Sequence, residues 1–84
     1  MDMHDFILRT IYQQVQLKEK PEDNPVEAWQ VGEKVGIAPE QLMRYCEALL
    51  QDGFIKISPL GTSPLLYLTI TGLSRAKRLA AVPS

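Results

Sequence analysis

The sequence predicts one mainly helical α+β domain whose elements follow the order α-α-α-β-β-α. Three observations carry this. Apolar residues recur at three- and four-residue intervals in separate segments, the period of a helix with one buried face. Two short β-favouring runs flank a turn-rich stretch, as in a hairpin. Proline, glycine and asparagine stand at the joints, where chain reversals need them.

Met3, Phe6, Ile7, Ile11 and Val15 form the first helical stripe. Asp2 can cap that helix, which should run from about His4 to Leu17 or Lys20. Residues 18–25 carry two prolines among polar side chains and read as a solvated loop. Asn24, Pro25 and Glu27 have the spacing of an N-cap, a first-turn proline and a capping-box acid. A second helix is therefore expected from there to about Val35, with Trp29 and Val35 inward and Gly36 as a left-handed C-cap. Ala38 or Pro39 opens the third helix, where Leu42, Cys46 and Leu49 share one stripe, and Gly53 closes it. Residues 54–57 and 65–68 are the two strands, with 58–64 as the tip between them. Thr69 then caps a last helix carrying Leu73, Ala76, Leu79 and Ala80 inward, and Pro83 ends it. There is no internal repeat.

The 84 residues, 45% apolar and 23% charged, have the composition of a globular chain and argue against disorder. They allow a single domain over 1–84, with a core over about 4–81. No apolar run is long enough to span a bilayer, so no membrane partner is expected. The acidic start, Met1-Asp2-Met3-His4-Asp5, is unlike an export signal, which points to a cytoplasmic location. Cys46 is the one cysteine, so neither an internal disulfide nor a cysteine-based metal cluster is expected. A core this small is marginal alone, which favours oligomerisation.

The net charge of −1 conceals an asymmetry. Residues 1–52 hold all ten acids against five bases, whereas residues 53–84 hold Lys56, Arg75, Lys77 and Arg78 and no acid. The chain can offer a local basic patch but not a basic domain, and phosphate neutralisation is the main source of affinity for nucleic acid.

Three motifs stand in a defined order. The segment Val31-Gly32-Glu33-Lys34-Val35-Gly36-Ile37-Ala38-Pro39-Glu40-Gln41-Leu42 resembles the small-residue helix, glycine turn and recognition-helix opening of the winged helix-turn-helix superfamily. Leu49-Leu50-Gln51-Asp52-Gly53-Phe54-Ile55 resembles its exit into the wing. Tyr67-Leu68-Thr69-Ile70-Thr71-Gly72-Leu73 is similar to the segment that leads into the closing helix in MarR-like and PadR-like regulators, although Leu68-Thr69 follows Tyr67 directly. The resemblance runs from about Phe6 to Ala80. Gly32 departs from the alanine usual in the second helix, which should lower local stability by up to about 1 kcal/mol.

The resemblance implies a small transcription regulator that binds duplex DNA, as a homodimer because one short helix reads few base pairs. The third helix would lie in the major groove with Pro39, Glu40, Gln41, Met43, Arg44, Glu47 and Gln51 outward. Arg44 can pair with guanine and Gln41 with adenine. Lys56, Thr62 and Ser63 would hold the DNA backbone, and Arg75 and Arg78 would add electrostatic attraction. Those last cations also have a plain explanation, since positive side chains near a helix C-terminus oppose its dipole.

The charge of the reading elements supports a rival. Residues 39–52 hold one base against Glu40, Glu47 and Asp52, and the tip 58–64 holds no base at all. A protein-interaction module that binds a partner chain, without DNA, is the alternative. Met43, Leu50 and Leu60 would mark its partner surface if they cluster.

Other residues have simple readings. Cys46 falls in a buried stripe, where thiols are inert. His4 with Asp2 and Asp5 lacks the further ligands that a metal site needs. Trp29 and Tyr45 have the spacing of core or interface aromatics. No nucleophile–base pair, glycine-rich phosphate loop or carboxylate pair in a cleft is visible, so neither catalysis nor a cofactor is expected.

Overall fold

The computed structural model describes residues 2–59 and 61–81. Four helices, α1 (Met3–Val15), α2 (Ala28–Val35), α3 (Pro39–Gln51) and α4 (Ile70–Ala81), surround an antiparallel sheet. Its strands are β1 (Val26–Glu27), β2 (Ile55–Ser58) and β3 (Leu65–Leu68), in spatial order β1-β3-β2. The predicted order of helices and hairpin holds, with one short strand added between the first two helices.

That strand corrects the expected start of the second helix. Asn24 and Pro25 do not cap it: the Asn24 side chain donates to the Lys20 carbonyl instead, and a single 3-10 turn occupies Pro21–Asp23 within the expected loop. Val26 pairs with Leu66 and Glu27 with Leu65, and Val26 becomes buried. Burying a β-branched side chain in a ladder outweighs a local capping preference. The first helix also stops earlier than expected. Its amphipathic stripe ends at Val15, and Leu17 is 96% exposed, so nothing beyond buries enough surface to hold another turn.

Asp2 caps α1 as expected, accepting a bond from the Asp5 N–H at 2.9 Å. Ile7, Leu8, Ile11 and Val15 of α1 pack with Leu42, Cys46 and Leu49 of α3 and with Leu73 and Ala76 of α4. From the sheet, Val26, Ile55, Leu66 and Leu68 point into the same core, as a period of two requires. Two side chains, Phe6 and Ala80, turn outward against expectation. Phe6 lies outward, 42% exposed, while Leu8 takes the buried place. Ala28, Val31 and Gly32 are the buried residues of α2, with Trp29 and Val35 only partly covered. Ala80 is exposed on α4. The expected end of that helix at Pro83 lies outside the described residues.

Two glycines end helices as anticipated. Gly36 is left-handed (φ 77°), and its N–H and that of Ile37 both donate to the Gly32 carbonyl. After α3, the Gly53 N–H bonds Leu50 and the Phe54 N–H bonds Leu49. This is the paired closure that a left-handed residue permits. A third glycine acts through space. At Gly72, a Cβ would lie 1.8 Å from the Phe54 carbonyl oxygen. Around it, the Thr69 N–H donates to the Phe54 carbonyl, the Thr69 hydroxyl to the Gly53 carbonyl, and the Gly72 N–H to the Thr69 hydroxyl oxygen. The start of α4 is thereby stitched to the exit of α3.

Cys46 is fully buried. Burial, and then the nearby Glu47 charge, push its thiol up to about 11 from the ordinary 9.0. The neutral thiol is therefore favoured in the native state. Its contribution to stability is intact below pH 9 and is lost as pH rises toward 11, because the unfolded chain releases the proton first.

Two outcomes follow. Gly72→Ala should destabilise the fold by about 3 kcal/mol, because a methyl group there must displace backbone. Gly36→Ala, with open space around it, should cost about 1 kcal/mol for its left-handed backbone; equal losses in urea denaturation would refute the close approach as the cause. Between pH 8 and 10.5, the wild-type chain should lose more stability than Cys46→Ala does, and parallel losses would show that the thiol is not held neutral.

Candidate nucleic-acid interface

Helix α3 turns Leu42, Cys46 and Leu49 into the core, so its other side faces solvent. Glu40, Gln41, Arg44, Glu47 and Gln51 are all exposed there. Met43 is the exception: it lies half-buried against the core rather than outward. Gln41 and Arg44, three residues apart, share one surface of the helix. Among the described residues, Arg44 has no salt bridge. Its guanidinium keeps its donors for an incoming acceptor.

On the sheet, Lys56 of β2 is exposed opposite Tyr67 of β3. The tip differs from expectation. Ser63 is buried, and its hydroxyl oxygen accepts the Trp29 N–H at 3.3 Å. This corrects its expected role as a phosphate contact, because the hydroxyl faces the start of α2. Thr62 stays exposed, while its carbonyl accepts the Trp29 indole N–H at 3.1 Å. The Pro64 carbonyl accepts the Ala28 N–H at 2.8 Å. Ser63 and Pro64 thus satisfy the first two backbone donors of α2, a task its own preceding residues do not perform, and Thr62 holds the Trp29 side chain. Leu60, at the same tip, lies outside the described residues.

The closing helix is corrected too. Arg75 grips Asp5 of α1, with Nη2 at 3.0 and 3.1 Å from the two carboxylate oxygens and Nε at 3.3 Å from the nearer one. The Asp5 side chain is 19% exposed. Such a bidentate pair neutralises the cation locally, so Arg75 joins α4 to α1 instead of offering free charge. Lys77 and Arg78 remain exposed. The basic cluster of the closing helix is reduced to those two.

Around the turn between α2 and α3, Trp29, Gly32, Glu33, Ile37 and Pro39 line a shallow groove of about 270 Å³. Gly32 allows the helices to close: a Cβ there would lie 3.3 Å from Leu42 Cδ2 and 3.4 Å from the Ile37 carbonyl oxygen. A second cleft, about 450 Å³, lies between the end of α1 and the start of α2, with Lys18, Glu27 and Gln30 among its walls. No group of three or more metal-binding side chains occurs among the described residues. His4 lies edge-on to Tyr45 and 4.0 Å from Asp2. Among the described residues, the exposed large apolar side chains are Phe6, Leu17, Leu50 and Ile70; Met43, which would mark a partner surface with Leu50 and Leu60 if the three clustered, is half-buried against the core. No described helix is long and apolar enough to cross a membrane.

The residue that sequence reasoning undervalued is Trp29. It was legible as a core or interface aromatic, but its two partners lie 33 and 34 residues further along the chain, so no local pattern could announce them.

No family model matches the sequence, and no curated protein is similar enough to count as a relative. Solved structures do match. The AF1382 protein of Archaeoglobus fulgidus superposes with a TM-score of 0.80 at 18% identity, over 93% of this chain and 80% of that one. ZitR of Lactococcus lactis gives 0.70 at 22% identity, over 92% of this chain and 53% of its own. NMB1585, a MarR family regulator from Neisseria meningitidis, gives 0.69 at 19% identity, over 95% and 53%. This chain thus spans about half the length of the latter two. With three helices leading into a β-hairpin braced by a short third strand and closed by α4, the chain has the winged helix-turn-helix fold.

Proposed function

We propose that this chain is a small transcription regulator that binds duplex DNA as a homodimer. The observation that carries the reading is the exposed pair Gln41 and Arg44 on the outer face of α3, where no side chain among the described residues pairs with the Arg44 guanidinium. An amide and a guanidinium on one helical surface match the acceptor and donor edges of adenine and guanine in the major groove. Lys56 and Thr62 supply a cation and a hydroxyl for phosphate. Arg78 and Lys77 add long-range attraction. The structural likeness to a MarR family regulator supports the same reading. Two copies would read two half-sites one helical turn apart, which one α3 cannot do alone.

One observation favours a second reading. Glu40, Glu47 and Asp52 are exposed on and just after α3, against the single base Arg44. Facing phosphates, that surface is repulsive, whereas facing a basic partner protein it is attractive. The charge deficit also limits the first reading quantitatively. With Lys56 as the phosphate-facing cation of each copy, a dimer should show a slope of log affinity against log salt of about −2.

Two measurements test the proposal. Binding to mixed-sequence duplex DNA should weaken about tenfold or more between 50 and 200 mM salt; no binding at the lowest salt would hand the surface to a protein partner. Once a preferred site is selected, Arg44→Ala should flatten preference by about 1–3 kcal/mol, while Lys56→Ala should weaken all sequences alike. Unchanged preference in Arg44→Ala would show that the reading face is wrongly assigned.

A further inference from the structure

Trp29 is the one tryptophan of the chain, and it meets three elements at once. Its backbone N–H, in the first turn of α2, donates to the Ser63 hydroxyl oxygen at 3.3 Å. Its indole N–H donates to the Thr62 carbonyl at 3.1 Å. Its side chain lines the groove that Ile37 and Pro39 also line, at the entry to α3. One residue therefore spans the wing tip, the first helix of the helix-turn-helix and the approach to the second.

We propose that Trp29 is a positioning residue that latches the wing tip to the helix-turn-helix, so that wing and recognition helix meet a duplex as one rigid surface. The proposal rests on the DNA-binding reading and names the side chain that sets the geometry of its phosphate contacts.

The chemistry is specific to an indole. A tip containing Pro59 and the left-handed Gly61 (φ 79°) has no strand pairing of its own beyond Ser58 and Leu65. Its orientation must come from outside, and Ala28 and Trp29 provide it through bonds to residues 62, 63 and 64 in turn. A phenyl ring would fill the same apolar space but has no N–H for the Thr62 carbonyl. The indole bond also fixes what the tip offers. In a trans peptide the carbonyl and the following N–H point in opposite directions. Holding the Thr62 carbonyl toward the indole turns the Ser63 N–H to the opposite side of that peptide. The exposed Thr62 side chain keeps its hydroxyl on a tip whose backbone is already ordered. A contact made by an ordered tip loses less conformational freedom on binding than one made by a mobile loop.

The deciding experiment compares the full chain with Trp29→Phe and Ser63→Ala, by duplex titration across a salt series and by amide hydrogen exchange at residues 61–65 without DNA. Both variants should keep the helical circular-dichroism spectrum and the base preference that depends on Arg44. Both should exchange the tip amides faster and bind every duplex sequence about 3- to 10-fold more weakly, the loss expected for one hydrogen bond's worth of ordering. Their salt slope should stay that of the wild type, because the tip carries no base and its contacts are neutral. Wild-type affinity and wild-type exchange of the tip amides in both variants, with the wild type binding duplex normally, would overturn the latch and leave the DNA-binding reading standing. Altered base preference would also overturn it, since Trp29 would then act through α3. Failure of the wild-type chain itself to bind duplex would overturn the reading on which the latch rests. If Trp29→Phe does not fold, Ser63→Ala decides alone, because it removes only the hydroxyl that accepts the Trp29 N–H.

Discussion

The fold depends on one close approach, where the backbone of Gly72 lies directly against that of Phe54. No side chain fits between them. Thr69 completes the junction by bonding to both Gly53 and Phe54 while capping its own helix through Gly72. This contact sets the path of α4 away from the wing and across α1, where Leu73 and Ala76 meet the core. It also holds the exit of α3 at the point where the left-handed Gly53 redirects the chain into β2. Helix α3, the wing and the closing helix are thus oriented from one locus of four residues. Such a locus tolerates little change in volume, because the neighbouring atoms are main chain and cannot rotate aside.

Two further ties complete the frame, and both consume groups that would otherwise be available to a ligand. The Asp5–Arg75 pair fastens α4 to α1 and removes a cation from the basic half of the chain. The Ser63 hydroxyl fastens the tip to α2 and leaves the surface. On the DNA-binding reading proposed above, recognition would rely on a sparse set: Gln41 and Arg44 on α3, Lys56 and Thr62 on the wing, and Lys77 and Arg78 on α4. With acids interleaved on α3, affinity for a duplex from charge alone would be small, and the arrangement of the few donors would carry more of it.

The sequence was most legible where the physics is local. Period and punctuation located all four helices, the left-handed positions of Gly36 and Gly53, the hairpin, and the caps at Asp2 and Thr69, because each depends on neighbours within about four residues. It was least legible where a distant partner intervened. Asn24-Pro25-Val26-Glu27 has the form of a helix start, yet the ladder with β3 draws Val26 into the sheet. Arg75 and Asp5 are 70 residues apart, and nothing in either segment marks them as a pair. Ser63 likewise has the look of an ordinary turn serine, and only the folded chain brings it to Trp29. The candidate surface on α3 followed from helical period and was readable, save for Met43; the wing and the closing helix were readable as elements but not in their partners.

The bonding of α2 has a consequence for how the chain assembles. Its first two backbone donors find their acceptors at Ser63 and Pro64, more than thirty positions downstream. An eight-residue helix is too short to persist alone in water, so it gains its full support only when the hairpin has closed. Contacts of such long sequence separation form late, since a large loop must close before they give anything back. During synthesis the first half of the helix-turn-helix would emerge well before the segment that secures it. The helix-turn-helix is therefore completed from the back of the chain forward, and a chain ending before β3 would carry α3 without α2 in place.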